Sequence, residues 1–120
     1  MEDVNLPTIT LRYNGVFDFD SFYTAIIDWA KNEGYMWHEK TFKHKVPSPE
    51  GAEQEYDWEL TKNVTEFVRY MILISIHAWE VQDVDVEING RKRTMTKARL
   101  FVRMNGFVKW EKGLNLADVT

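Results

Sequence analysis

Three histidines are the residues whose chemistry stands out first. His38, His44 and His77 carry imidazole groups, which bind metal ions and transfer protons near neutral pH. His38 and His44 are six positions apart, so on a regular strand they would lie ~20 Å from each other at ~3.3 Å per residue. His77 has Ser75 and Trp79 as its strand neighbours on the same face, and neither is an acid or base partner. The sequence therefore predicts no metal site and no catalytic histidine.

Two pairs of carboxylates also have a spacing that can support chemistry. Glu55 and Asp57, and likewise Asp83 and Asp85, are two positions apart and would point the same way from a strand. Such pairs serve glycosidases and metal-dependent nucleases, but alternation of acids with apolar residues is also typical of a solvated strand face. The chain has no cysteine, phosphate loop, dinucleotide fingerprint or serine elbow. We predict that the protein is not an enzyme and has no cofactor.

A basic run near the end of the chain indicates a different function. Its candidate binding residues are Arg91, Arg93, Lys97, Arg99, Phe101 and Arg103. Basic strands interleaved with aromatic residues can hold single-stranded nucleic acid by phosphate contact and base stacking. Asp83, Asp85 and Glu87 are expected across a hairpin from this run, and the net charge of −4 has the wrong sign. Binding of single-stranded nucleic acid through the basic face of residues 91–109 is therefore an alternative function.

A set of apolar residues supports the function that we favour from the sequence. A single helix cannot cover both faces of a sheet, so apolar residues on the second face need another cover. The residues concerned are Phe67, Met71, Leu73, Trp79 and Val81. We predict an interface there, in a structural or assembly module that contacts other protein subunits, self-association included. A virion, tail or shell-like particle would suit such a module. The five tryptophans allow another alternative, a small cup for an apolar ligand between helix and sheet.

Residues 64–108 contain the elements that must position these side chains, two long β-type runs joined by Asn-Gly at 89–90. The even positions of the first run from Val68 onward are apolar apart from Glu80 and Gln82. Those of the second run are apolar from Ala98 to Met104, and both sets should face a helix. A two-residue turn would pair Ile88 with Arg91 and point the two apolar faces in opposite directions. A three-residue loop with its glycine in the left-handed conformation instead places Glu87 opposite Arg91. We predict that register, with arms longer than the usual 5–6 residues.

The remaining elements follow from shorter patterns. They are a strand at residues 8–13, a helix that begins at Asp18 or Asp20 and ends before Gly34, a strand at 35–46 and a strand around 56–60. Lysines on the 35–46 segment and acids on the 53–59 segment favour an antiparallel pair, with a proline-rich loop at 47–51 between them.

Together these elements predict the α+β class. A single amphipathic helix would pack on a curved antiparallel sheet, in the order β-α-β-β-β-β with a long C-terminal hairpin. This order resembles that of the cystatin-like roll, in topology only, and the resemblance carries no function. Residues 1–120 should form a single domain. Residues 111–120 show no strong pattern and offer Leu114, Leu116 and Val119 as partial cover for the second sheet face.

Composition agrees with a folded domain. Of 120 residues, 44% are hydrophobic, enough for a core rather than disorder. Residues 1–60 hold 12 acidic and five basic residues, whereas residues 61–120 hold seven and ten, so the halves carry −7 and +3. The start lacks a signal-peptide pattern, and the longest apolar run, residues 70–76, is far shorter than the ~20 residues of a membrane helix. We predict a cytoplasmic or particle-associated protein without a membrane partner.

Overall fold

A computed structural model of the chain describes residues 2–49 and 51–110, and confirms the α+β class and the predicted order of elements. The elements are β1 (Glu2–Asn5), β2 (Ile9–Phe17), α1 (Phe19–Asn32), β3 (Met36–Ser48), β4 (Gly51–Asn63), β5 (Val68–Ile88) and β6 (Arg91–Trp110). The short β1 is an addition to the prediction. The predicted cover by Leu114, Leu116 and Val119 lies outside the described residues.

All strand pairs of the six-stranded sheet are antiparallel, and the strand order is β1-β6-β5-β4-β3. β2 also pairs with β6, next to β1 along the same strand. β1 and β2 therefore form one edge of the sheet, interrupted at residues 6–8, and β3 forms the other. Among the described residues, no helix combines the length and apolar character needed to cross a lipid bilayer.

The helix begins where the sequence indicated. Asp18 is its N-cap, and one carboxylate oxygen accepts a hydrogen bond from the Ser21 backbone N–H at 3.0 Å. The other oxygen accepts from the Ser21 hydroxyl at 2.7 Å. The hydrogen bond from the Ser21 backbone has the largest effect on the pKa of Asp18, and the bond from the hydroxyl adds to it. Together they hold this pKa below its ordinary value. Ala30 is fully buried against the sheet, whereas Trp29 remains 48% exposed and stacks on Tyr35.

The core lies between this helix and the even positions of the central strands, as predicted. Its buried sheet residues are Tyr56, Trp58, Leu60, Ile74, Ile76, Ala78, Ala98, Leu100 and Val102. Leu60 and Ile76 are only 0% and 1% exposed. Burial of one such side chain contributes about 1.5–3 kcal/mol, so these positions hold the helix on the sheet.

At the hairpin turn the predicted register is wrong. Ile88 pairs directly with Arg91 across a two-residue turn, so Glu87 does not face Arg91. Asn89 and Gly90 have φ values of 51° and 77°, and a type I′ turn requires positive φ at both central residues. Asparagine and glycine are the residues that adopt this conformation most readily, so the local preference of the turn prevails.

Nearer the core, the predicted register is confirmed, because Ala78 pairs with Leu100. The two registers differ by one residue, and the pairing shifts between Trp79 and Gln82. Glu80 lies in this shift with a positive φ of 58°. A β-bulge at this point absorbs the residue that the shorter turn leaves over, and it keeps Ala78 and Leu100 together on the helix side. Beyond the bulge, Val84 and Val86 pair with Met95 and Arg93, so the apolar side chains of the two arms lie on opposite faces there.

The bulge moves one residue of the predicted interface. Val81 pairs with Ala52 of β4 and packs against the core, on the opposite face from the one predicted. Gly51, next to it, has a φ of 127°. A Cβ atom at Gly51 would lie 2.7 Å from the Glu80 carbonyl carbon, so the start of β4 approaches the bulge closely.

The pairing of β3 with β4 follows the predicted charge pattern. Lys45 Nζ lies 3.1 Å from Glu53 Oε2, and Lys40 Nζ lies 3.1 Å from Glu59 Oε2. The connection is shorter than the predicted loop at residues 47–51, because both strands continue to the turn.

The β5–β6 hairpin has arms of 21 and 20 residues, and the radius of gyration of 18.0 Å exceeds the ~14 Å of a compact 120-residue domain.

Candidate interaction surfaces

The sheet face that points away from α1, here called the open face, carries charges in columns that follow the strands. One row across it consists of Arg12 on β2, Phe101 on β6, His77 on β5, Glu55 on β4 and Lys43 on β3, each paired with the next. In this row basic residues lie on β2 and β3 and an acidic residue on β4, and on β6 Arg99 and Arg103 lie two positions to either side of Phe101. On the open face, β5 is therefore the one strand between the arginines of β6 and the carboxylates of β4.

His77 lies at the boundary between these columns and has two acidic neighbours. Its Nε2 is 2.7 Å from Glu53 Oε1, and its Nδ1 is 3.1 Å from Glu55 Oε1. Hydrogen bonds from His77 and then from Lys45 lower the pKa of Glu53. The prediction that His77 lacks an acid partner is therefore wrong. Its partners lie on β4 rather than on its own strand, and only the strand register could have revealed them.

This cluster has the residue types of a metal centre. Ligand atoms of Glu53, Glu55 and His77 lie within 4.8 Å of one another, and carboxylates with an imidazole suit divalent transition metals. The two carboxylates, however, contact different nitrogens of the ring, and a single ion can bind only one of these nitrogens. Lys45 also holds the second oxygen of Glu53. The geometry fits an ion-pair network that orients the His77 ring.

Beside this cluster, two arginines lie over aromatic rings. The His77 ring stacks on Trp79 with a centroid distance of 3.7 Å, and the Arg99 Cζ lies 4.5 Å from the Trp79 ring centroid. The Arg12 Cζ lies 5.0 Å from the centroid of Phe101. These arginines and their rings line a depression of about 450 Å³, here called the arginine pocket. Arg12 was not among the predicted binding residues, because β2 is remote from β6 in sequence.

The other predicted nucleic-acid-binding residues do not join the arginine pocket. Arg93 Nη2 lies 2.9 Å from the N-cap carboxylate of Asp18, which neutralises its charge. Arg91 and Lys97 belong to the hairpin end beyond the bulge. Arg103 lines a separate depression that also contains carboxylates. The six predicted residues therefore do not form one continuous basic track.

On the helix side, the β1–β2 edge exposes a row of apolar side chains, here called the edge strip. The strip comprises Val4, Leu6, Ile9, Leu11 and Tyr13, which are 40%, 49%, 64%, 53% and 44% exposed. Leu11 pairs with the buried Val102, so the strip lies on the same face as the core. The sequence predicted a strand here but not that the helix leaves it uncovered.

An apolar groove of about 370 Å³ lies between α1 and the sheet. Phe22, Ile26 and Trp29 line it from the helix, and Met104 lines it from β6. Ile9 pairs with Met104, so the edge strip borders this groove. Of the five tryptophans considered for an apolar cup, only Trp29 lines this groove, and the cup stays a prediction.

The predicted interface residues other than Val81 occupy several environments. Phe67 is 45% exposed at the start of β5, whereas Met71 and Leu73 are half-buried. Trp79 is half-buried in its stack with His77. An interface at these four residues stays a prediction.

Comparison with known proteins adds no assignment. No model of a known protein family matches the chain, and no curated protein matches it with significant similarity. The function is therefore argued from the geometry of the described residues.

Proposed function

We propose that the protein is a non-enzymatic assembly module in which the β1–β2 edge of one copy pairs with the same edge of a second copy. The observation that carries this proposal is that the edge strip lies on an edge strand. β2 has nine residues and pairs with β6 on one side only among the described strands. An uncovered edge presents a row of N–H and C=O groups that another strand can pair with.

The side chains of the edge strip add a hydrophobic contribution to such pairing. Ile9 and Leu11 are more than half exposed, and they continue into the groove beneath α1. Monomeric proteins rarely expose contiguous apolar surfaces of more than a few hundred Å². A second copy would cover both the strip and the mouth of the groove, and a stable contact needs about 1,000 Å² or more.

The sequence of β2 permits a two-fold symmetric register. If two β2 strands pair antiparallel about Leu11, Leu11 lies opposite its own copy and Ile9 opposite Tyr13. The apolar side chains of both copies then share one face. Arg12 lies opposite Thr10 in this register, so two guanidinium groups do not face each other.

The second sheet edge limits this mode of assembly. β3 carries lysines and an irregular register, so pairing through β2 closes after two copies and yields a dimer. A larger particle, such as the predicted virion, tail or shell, would need a further contact. Phe67, just before β5, and the open-face residues Met71 and Leu73 are candidates for that contact.

The test is the oligomeric state of Ile9→Lys combined with Leu11→Lys. We expect the wild type to be a dimer and the double variant to be a folded monomer. Its association should be at least about 100-fold weaker, since two buried charges would face the partner. Sedimentation analysis measures the association, and circular dichroism confirms the fold.

The matched control is Met36→Lys, at a residue that is 72% exposed on the β3 edge. This variant should dimerise like the wild type. A monomeric wild type at high concentration, or equal dissociation of the control, would show that the β1–β2 edge is not the interface.

A second candidate function is binding of a small apolar ligand in the groove. Its volume of about 370 Å³ falls within the usual range of ligand sites. Laurate is a suitable probe, and Ala25→Trp should block its binding by filling the groove from α1. Laurate binding that survives Ala25→Trp, or no binding by the wild type, would exclude this candidate.

A further inference from the structure

The arginine pocket differs in composition from the edge strip, although Tyr13 belongs to both, and its arginines point to a ligand of its own. Its polar and aromatic lining consists of Arg12, Tyr13, Asn14, Trp79, Arg99 and Phe101, around a volume of about 450 Å³. We propose that it binds one nucleotide-sized ligand, an aromatic base that carries a phosphate. This site goes beyond the proposed assembly function and does not depend on it.

The two arginines each contact an aromatic ring of the pocket. Arg12 lies over Phe101 and Arg99 over Trp79, at 5.0 and 4.5 Å from the ring centroids. A guanidinium carries its N–H donors in its plane, and they can hold a phosphate by two parallel hydrogen bonds. Contact with a ring restricts the side chain before binding, which lowers the entropy lost when the ligand binds.

Within the part of the chain that the structure describes, neither charge is strongly neutralised. Among the described residues, no carboxylate forms an ion pair with Arg12. Arg99 has Glu80 at 3.7 Å, a long contact between two side chains that are about half exposed. Two like charges that line one depression favour an anion between them.

The base has a place beside the phosphate. The Arg99 side chain is half exposed, and bases stack on guanidinium planes as they do on aromatic side chains. The Asn14 amide, next to Arg99 across β2 and β6, offers both a donor and an acceptor to a base edge.

The surrounding charges limit the ligand to about one nucleotide. Arg93 is paired with Asp18, and Glu53 and Glu55 surround His77, on the side of Trp79 opposite to Arg99 in the stack. A long phosphate backbone that crossed the sheet would meet these carboxylates. These carboxylates therefore disfavour binding of a longer polynucleotide across β5 and β4.

The experiment is calorimetric titration of the full chain with AMP, with adenosine and inorganic phosphate as separate probes. We expect AMP to bind at least about tenfold more tightly than either part, because stacking and phosphate contacts act together. Adenosine that binds as well as AMP, or no AMP binding at millimolar concentration, would overturn the proposal.

Variants locate the site. Arg12→Gln and Arg99→Gln should each weaken AMP binding about tenfold or more, and Arg91→Gln, with the same change in charge on the hairpin end, should not. Arg99 lies on β6 rather than on the sheet edge, so Arg99→Gln should leave dimerisation unchanged. Loss of AMP binding with an intact dimer therefore separates this site from the assembly interface.

A final titration with a single-stranded oligodeoxyadenylate distinguishes a nucleotide site from a nucleic-acid track. We expect its affinity per nucleotide to stay close to that of AMP and to be insensitive to Arg91→Gln. A much tighter, steeply salt-dependent association that Arg91→Gln weakens would show a polynucleotide track and contradict the proposal.

Discussion

The two edge strands of the sheet, β3 and β2, differ in the features that keep an edge strand from pairing with other chains. β3 carries Lys40, Lys43 and Lys45, and its pairing with β4 shifts register between Glu39 and Thr41. Charged residues and bulges are the devices by which proteins keep an edge strand from pairing with other chains. β2 runs nine residues in one register with Arg12 as its only charged residue. β3 therefore carries features that prevent pairing with another chain, and it is here called the guarded edge. β2 lacks these features.

Exposure of apolar side chains alone does not distinguish these edges. Met36 and Phe42 on β3 are 72% and 52% exposed, as much as Ile9 and Leu11 on β2. The difference lies in what accompanies them, since lysines and an irregular backbone interrupt β3. Backbone regularity and charge, more than hydrophobicity, therefore identify β2 as the edge available for pairing.

The largest effect should come from a substitution at Gly51, where β4, the strand that pairs with β3, approaches the bulge in β5. Gly51 has a φ of 127°, and a Cβ there would meet the Glu80–Val81 backbone at 2.7 Å. Gly51→Ala should therefore destabilise the protein by about 2 kcal/mol or more, through strain and steric conflict together. Chemical denaturation measures the loss, and hydrogen exchange should show it in β3 and β4 before β2.

Gly90→Ala is the matched control. Gly90 also has a positive φ, 77°, but a Cβ added there would meet no atom within 4 Å beyond its chain neighbours. Only the backbone strain remains, so we expect a loss of about 1 kcal/mol. Equal losses for both variants would mean that the close approach at the bulge contributes nothing.

The guarded edge is also the part of the fold that the sequence predicted best. Lysines at 40–45 and acids at 53–59 indicated the β3–β4 pair from their opposite charges, although residues 35–46 alternate poorly. The register at the hairpin turn was predicted wrongly because two arrangements are compatible with the Ala78–Leu100 pair. One is a three-residue loop, and the other is a two-residue turn combined with a bulge. The bulge at Glu80 is the solution that occurs, and neither Glu80 nor Val81 carries a local signal for it.

The candidate sites were less predictable, because they depend on strand order and register. His77 meets Glu53 and Glu55 on the adjacent strand, and Arg12 reaches Phe101 from the other end of the chain. Alternation in residues 8–13 predicted a strand, but only the observed strand order shows that it is an edge. Periodicity reports which face a residue occupies, not which strand lies beside it.

A smaller effect should follow from removing the guard itself. Lys43→Val combined with Lys45→Val would remove two of the three lysines of β3 and make its edge more apolar. We expect species larger than the dimer, with the added association at least about tenfold stronger than in the wild type, or about 1.4 kcal/mol. Light scattering after size-exclusion chromatography measures the assembly. Lys31→Val, on α1 rather than at a sheet edge, should leave the dimer unchanged, and growth in that variant would contradict the role of the β3 lysines.

The smallest effect is a dependence of stability on pH that differs between the two edges. Glu53 supports the β3 side through His77 and Lys45, and Asp18 follows β2 and caps α1. Both pKa values lie below the ordinary values of 4.5 and 3.8, because hydrogen bonds favour the charged forms. The folded state thus binds these protons less readily than the unfolded chain, so the stabilisation is complete above the ordinary value and is lost as pH falls through the lowered one. Since 4.5 is above 3.8, the Glu53 contribution should begin to fall at the higher pH. Urea denaturation measures the free energy of unfolding as a function of pH. Glu53→Gln should reduce the loss of this free energy at the higher end of the acid range, and Asp18→Asn should reduce it at the lower end. Identical pH profiles for both variants would contradict this assignment.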